Sequence, residues 1–216
     1  MRPRNERLEY LIGDWRAKGS PEQEAFSWLQ SKLNWQTLAN EFKVDISDFP
    51  DEINRRFLWQ ISSSSVPVDT LFLGVMIWGY GNIGYGPHRV RQMYRSDQFQ
   101  QTLQEVKSLC DSKETLAAYS ALKKSRIKQL GPSFGSKVLT FFHAEESAPA
   151  ILDSIVAQWL NKEVPYLQGA SLVNAETWNL GTYENYIKWI NEMSKIYGVP
   201  GCTVEQLIFS DGYGLG

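Results

Sequence analysis

Cysteine, histidine and methionine are scarce in this chain: 216 residues hold two, two and four of them. Cys110 and Cys202 cannot build a disulfide framework or an all-cysteine zinc or iron–sulfur site, and both are read as packing residues. His88 and His143 are too few for a multi-histidine metal centre, so no metal and no cofactor is expected. Long hydrophobic runs are missing as well. The longest, Leu71–Tyr80, is ten residues interrupted by Gly74 and Gly79, against the roughly 20 that a membrane-spanning helix needs. The first residues, Met1-Arg2-Pro3-Arg4-Asn5-Glu6, are charged and lead into an amphipathic segment, so no secretory leader is expected and the cytoplasm is the expected compartment.

The most informative shortage is of acid. From Leu71 to Ser96 there is no carboxylate, while Arg89, Arg91 and Arg95 give +3. From Thr115 to Ala144 there is again none, and Lys123, Lys124, Arg126, Lys128 and Lys137 give +5. The remainder holds fourteen bases against twenty-four acids, which brings the whole chain to −2. Keeping carboxylates out of two particular segments suits a local positive face for a polyanion, although a set of solvated helix faces would look the same in composition.

What is abundant is apolar and aromatic: 43% hydrophobic residues and eight tryptophans supply a sizeable core and exclude disorder. Helical periodicity dominates. Leu8, Leu11, Ile12 and Trp15 mark a first amphipathic helix. Ser20-Pro21-Glu22-Gln23 reads as a capping box with proline at the first helical position, opening a helix that carries Phe26, Leu29 and Leu33. Ile53, Phe57, Leu58 and Ile61 continue the pattern, and Asp111-Ser112-Lys113-Glu114 opens a helix running toward Leu130. Tyr186, Ile190, Met193 and Tyr197 form a stripe ending at Gly198 and Pro200, and Thr203-Val204-Glu205-Gln206 reads as a further capping box. Val138–Phe142 is the one β-compatible stretch of note. The expectation is an all-α fold of nine to twelve short helices.

Two glycine-rich interruptions coincide with the acid-free segments. One runs from Trp78 through Gly79, Tyr80, Gly81, Asn82, Gly84, Tyr85 and Gly86 to His88 and Arg89. The other is Leu130-Gly131-Pro132-Ser133-Phe134-Gly135-Ser136-Lys137, which joins two helices, the second expected to start near Ser136. A short glycine-containing connection leaves backbone N–H groups without intrahelical partners at the next helix's N-terminus, a site suited to phosphate. Lys137 is expected in the first turn, where a positive helix terminus and neighbouring lysines disfavour its charged form and promote a nucleophilic amine. Sixteen residues on, Asp153 opens another apolar helix. Alone it would be read as an N-cap, and Lys137 alone as a solvated lysine; hairpin and spacing together point to chemistry.

Phe134-Gly135-Ser136-Lys137 followed by Ile151-Leu152-Asp153 resembles the helix-hairpin-helix (HhH-GPD) DNA glycosylases, whose signature is Leu-Pro-Gly-Val-Gly-Thr-Lys with an aspartate sixteen to twenty residues later. The longer run from Leu130 to Phe142 is most similar to the bacterial 8-oxoguanine-glycosylase-like branch, which includes antiphage glycosylases acting on modified cytosine. The resemblance is specific over residues 115–160 and architectural elsewhere. Ser133 departs from it by standing where the first hairpin glycine belongs, and the four-cysteine cluster of the endonuclease III branch is absent.

The resemblance implies two helical lobes with a DNA cleft between them: residues 45–140 ending in the hairpin, and 1–44 with 141–216 carrying Asp153. It implies a monomer, associated with the nucleoid, that flips a damaged or modified base out of double-stranded DNA and excises it. Lys137 and Asp153 would be catalytic, with optional Lys-dependent β-lyase activity. Gly131, Ser133, Phe134, Gly135, Ser136, Lys128, Arg89 and Arg91 would contact DNA. Trp78, Tyr80, Asn82, Tyr85 and His88 would form wedge or base pocket, with Phe209 and Asp211-Gly212-Tyr213 as further pocket candidates. A helix-hairpin-helix module that binds DNA without chemistry is the alternative. Which base is removed, an oxidised purine or a modified cytosine, stays open at this level.

Overall fold

The computed structural model describes residues 5–21, 25–145, 148–167 and 173–213. Eleven α-helices lie among them: α1 Glu6–Ala17, α2 Lys32–Phe42, α3 Arg55–Ser62, α4 Val68–Tyr80, α5 Gly86–Tyr94, α6 Phe99–Asp111, α7 Thr115–Ser125, α8 Pro132–Phe142, α9 Ser154–Glu163, α10 Leu180–Tyr197 and α11 Gly201–Tyr213. The described strands are β1 Phe26–Ser27 and β2 Glu52–Ile53, paired antiparallel with Phe26 opposite Ile53. The fold is all-α, as the periodicity predicts.

Three local expectations give way to the structure. Glu22 and Gln23 of the expected capping box lie outside the described residues, and Ser20 itself closes α1: its φ is +57°, and its N–H bonds the carbonyl of Trp15. Phe26 then lies in β1, Leu29 in a 3-10 turn (Leu29–Ser31), and the helix begins only at Lys32. Val138–Phe142 is helical throughout. Every residue from Gly135 to Phe142 is buried, so the β-like composition reflects burial on all sides rather than an extended backbone. Thr203 is likewise inside α11, which starts at Gly201 directly after Pro200.

The chain divides into two compact units, Met1–Glu22 with Pro149–Gly216, and Gln23–Ala148. In the first unit α11 packs against α1, α9 and α10. Asn5 caps α1 by accepting from the Leu8 N–H (2.8 Å), and its amide donates to the Glu163 carbonyl (2.8 Å). Asp211 binds Arg7 and accepts from the Trp159 indole N–H at 2.8 Å, and the Arg7 bond holds its carboxyl below the usual value. Gly212 presses on Ile155, where a Cβ would come within 2.8 Å of Cγ2. Asp211 and Gly212 thus hold this unit together.

The second unit is built around α4. Its residues from Thr70 to Trp78 are all buried, as is Tyr80, and α3, α5, α6 and α8 contact it. Residues 23–44 group here because β1 pairs with β2 and Trp35 is buried against Tyr80 (ring centroids 6.2 Å). Gly86 opens α5 in that corner, where a Cβ would approach Trp35 Cζ2 and Tyr80 Cγ to 2.8 Å. The Trp59 indole donates to the Thr140 carbonyl (3.2 Å) and ties α3 to α8.

His143, at the end of α8, is fully buried between the Leu139 carbonyl (Nδ1, 2.8 Å) and Thr115 Oγ1 (Nε2, 3.0 Å). The geometry fits the neutral tautomer that donates from Nδ1 and accepts at Nε2. Burial lowers its pKa below the ordinary 6.5, so the unfolded chain takes up this proton first. Its stabilising contribution is therefore complete above the unfolded value and is lost as pH falls below it. Urea unfolding measured from pH 7.5 down to 5 is expected to show a declining stability that His143→Gln flattens. A wild-type slope in the variant would contradict this.

Candidate nucleic-acid interface and catalytic residues

The hairpin runs from α7 to α8. Arg126 ends α7 in the left-handed conformation (φ 50°, ψ 30°), and Gln129 is also left-handed (φ 71°). Ile127 and Leu130 are buried and anchor the loop, the Leu130 N–H bonding the Ile127 carbonyl at 3.2 Å. Lys128 and Gln129 are thereby left exposed at the tip, beside exposed Arg126. Lys123 and Lys124 occupy the last turn of α7, where they also complement the helix dipole.

The helix starts four residues earlier than the glycine pattern suggests. Gly131 is the N-cap and Pro132 occupies the first turn, so Ser133, Phe134, Gly135 and Ser136 are helical rather than turn residues. The earliest intrahelical bond runs from the Gly135 N–H to the Gly131 carbonyl (2.8 Å). The Ser133 and Phe134 N–H groups precede it, and no side chain caps this terminus. Such a terminus suits an anion. Ser133 at the departure from the family pattern costs nothing sterically, because its backbone is helical there.

Lys137 accordingly sits in the second turn of α8, not the first. Its side chain points back along the helix, as helical geometry directs: Nζ lies 3.5 Å from Ser133 Oγ and 5.5 Å from the centre of the Phe134 ring. The residue is only 8% exposed. Its stem runs beside Gly79 of α4, and Phe134 stacks on Tyr80 (4.2 Å, 22°). The two acid-free, glycine-containing segments are therefore joined at this point.

Asp153 occupies the N-cap of α9 and is 7% exposed. Its Oδ1 accepts from the Ile155 and Val156 N–H groups, both at 3.1 Å. The preceding Ala150-Ile151-Leu152 segment is buried and pinned by the Tyr186 hydroxyl of α10, which donates to the Ile151 carbonyl (2.7 Å). Capping restrains χ1, so the cap itself fixes the carboxylate's direction.

The remaining sequence candidates separate into core and surface. Trp78 is buried, 5.1 Å from Phe141 and under Arg55 (5.4 Å). Tyr80 is buried on Phe134, and burial raises its phenol pKa. Asn82, Tyr85 and His88 are exposed on the loop Gly81–Tyr85 and the start of α5. Arg89 lies over the Tyr85 ring at 4.6 Å. Arg91 is held by Glu41 (2.7 Å), which also binds Arg95 (3.2 Å), so α5's acid-free sequence meets a carboxylate from α2. Phe209 stacks with Tyr213 (6.0 Å). A pocket of about 610 Å³ in the second unit, lined by Arg56, Trp59, Gln60, Lys107, Asp111 and Glu145 among others, includes none of the candidate residues.

The sequence marks Gly79 only as one of the glycines interrupting the Leu71–Tyr80 run, and nothing local says which side chains fill its place. Among the described residues no group of three or more His, Cys, Asp or Glu could hold a metal, and no helix is long and apolar enough to cross a membrane.

The cap role of Asp153 predicts a separation of stability from chemistry. Asp153→Ala is expected to cost about 1 kcal/mol in denaturant unfolding. Asp153→Asn keeps an oxygen acceptor and is expected to stay within about 0.5 kcal/mol of wild type. Equal losses in both variants would remove the cap from the account.

No curated protein and no solved structure matches the chain. The family described as "Putative 8-oxoguanine DNA glycosylase OGG-like protein" matches residues 18–209, a span that takes in the hairpin, Lys137 and Asp153. With nearly its whole length inside that match, the chain belongs to the OGG-like DNA glycosylase family.

Proposed function

We propose that this protein excises a single damaged or modified base from double-stranded DNA and then nicks the strand, with Lys137 as nucleophile and Asp153 as the catalytic carboxylate. The observation that carries the reading is a lysine only 8% exposed, in the second turn of a helix that follows a basic, uncapped hairpin. Family membership supplies the reaction class.

The chemistry follows from the two groups. Breaking the N-glycosidic bond builds positive charge on C1′, which a nearby carboxylate stabilises. The Lys137 amine attacks C1′ and the bond to the base breaks. The base leaves with the bonding pair and takes up a proton, and the amine loses one. Opening of the sugar ring gives a Schiff base. Loss of a C2′ proton then expels the 3′ phosphate, and water releases the lysine. Extruding the nucleotide beforehand costs about a few kcal/mol, least for a lesion that pairs poorly.

Exposed Lys123, Lys124, Arg126 and Lys128 around the hairpin supply the phosphate contacts in this reading, with the N–H groups of Ser133 and Phe134. Arg89 remains a contact candidate on the second acid-free segment, while Arg91 would have to leave Glu41 to become one. Asn82, Tyr85 and His88, being exposed, are the wedge candidates; Trp78 and Tyr80 act from the core. An oxidised purine is the substrate class favoured by the family's description, with repair as the setting. A bulky modified cytosine, with phage defence as the setting, is the competing class. The protein is taken to act as a monomer on the nucleoid, without a cofactor.

A panel of duplexes, each with one oxidised purine or one modified cytosine, tests this directly. At least one duplex is expected to acquire alkali-labile sites. Asp153→Asn is expected to lower base release by at least about a hundredfold, and Lys137→Gln to abolish strand nicking. Tight duplex binding with no alkali-labile site on any substrate would leave a DNA-binding module instead. Full base release by Lys137→Gln would make the enzyme monofunctional, with water as the nucleophile.

A further inference from the structure

We propose that Phe134, held between Tyr80 and Lys137 and given room by Gly79, is a positioning residue for the Lys137 amine rather than a DNA contact. The proposal rests on the reading of Lys137 as nucleophile, and it assigns roles to two residues that this reading does not need.

Four observations converge. The Phe134 ring is stacked on buried Tyr80 with centroids 4.2 Å apart and planes 22° apart, so its orientation is fixed from α4. The Lys137 Nζ lies 5.5 Å from the other partner of that stack, the Phe134 ring centroid, within the range of cation–π attraction. The same Nζ is 3.5 Å from Ser133 Oγ, so ring and hydroxyl from the preceding turn both bear on its direction. Finally, α4 lacks a side chain where this packing occurs. A Cβ on Gly79 would stand 2.8 Å from Phe134 Cε1 and 3.3 Å from Lys137 Cδ.

A long lysine stem carries rotamer entropy that must be lost before its amine attacks one carbon. The ring restrains that stem before substrate arrives, and the missing Cβ lets it do so. Tyr80 continues the contact outward to Tyr85 (6.0 Å, edge-on), whose ring lies under Arg89.

The test needs no knowledge of the excised base, because the probe is a short duplex with one preformed abasic site. Cyanoborohydride trapping is followed at saturating enzyme, with duplex affinity measured separately by anisotropy. Phe134→Leu and Gly79→Ala are each expected to slow saturated trapping about tenfold to a hundredfold, the scale of an ångström-level misplacement. Affinity is expected to stay within about twofold of wild type. Phe134→Tyr keeps the ring and is expected to restore the wild-type rate.

Gly79→Ala meets only side-chain atoms, a ring edge and a flexible stem, and no backbone, so it reports even if Phe134→Leu melts. Wild-type trapping rates in Gly79→Ala, or a loss in Phe134→Leu that appears wholly in affinity, would overturn the positioning role and return Phe134 to the DNA surface. If wild type itself forms no adduct while base release proceeds, Lys137 is not the nucleophile and the proposal falls with that reading, a result distinct from a failure confined to the variants.

Discussion

One packing contact of the second unit depends on a missing Cβ: at Gly79 of α4 the space is taken by the Phe134 ring and the Lys137 stem of α8. With no Cβ there, the Phe134 ring settles on Tyr80 and the Lys137 stem runs alongside. The rest of the second unit is consistent with that crossing. Trp59 fastens the far part of α8 through the Thr140 carbonyl, and His143 closes its end against Thr115. A helix buried along eight consecutive residues and pinned by neighbours at several points has little freedom left. That rigidity is what a reactive amine requires, since effective concentration depends on holding the group in place.

The first unit solves the complementary problem for a carboxylate. Asp153 is a helix cap and a candidate catalytic group at once. These roles reinforce one another, because two N–H bonds to Oδ1 orient the side chain. Tyr186 holds the backbone two residues upstream. Structural and chemical readings of such a residue are usually set against each other. Here the structural role is the means by which a chemical one could be exercised.

Much of this was legible in the sequence where signals are local. The periodic stripes of α1 and α10, the Gly198 stop and the cap at Asp153 depend on neighbours within a turn or two, and they were readable. Failures came where distant chain decides. Phe26 pairs with Ile53 across the chain, which no capping rule at Ser20 can foresee. Val138–Phe142 looks like a strand because full burial erases the helical period that reveals a surface helix. Gly135 was read as part of the turn because glycine usually punctuates, yet it lies within a helix whose cap is Gly131. The hairpin motif itself was legible as spacing and charge. The partner that shapes it, α4, was not, since sequence separation hides which apolar segment packs on which. Charge was only half readable for the same reason: Arg91 sits in an acid-free stretch and still finds Glu41.

In the proposed reaction one amine, on the second turn of α8, bonds to the sugar. Peptide mapping of the borohydride-reduced adduct with an abasic duplex addresses it most directly. A single modified peptide carrying the sugar remnant on Lys137 is expected. A remnant on Lys128, on another surface lysine or on the N-terminal amine, with Lys137 unmodified, would contradict it.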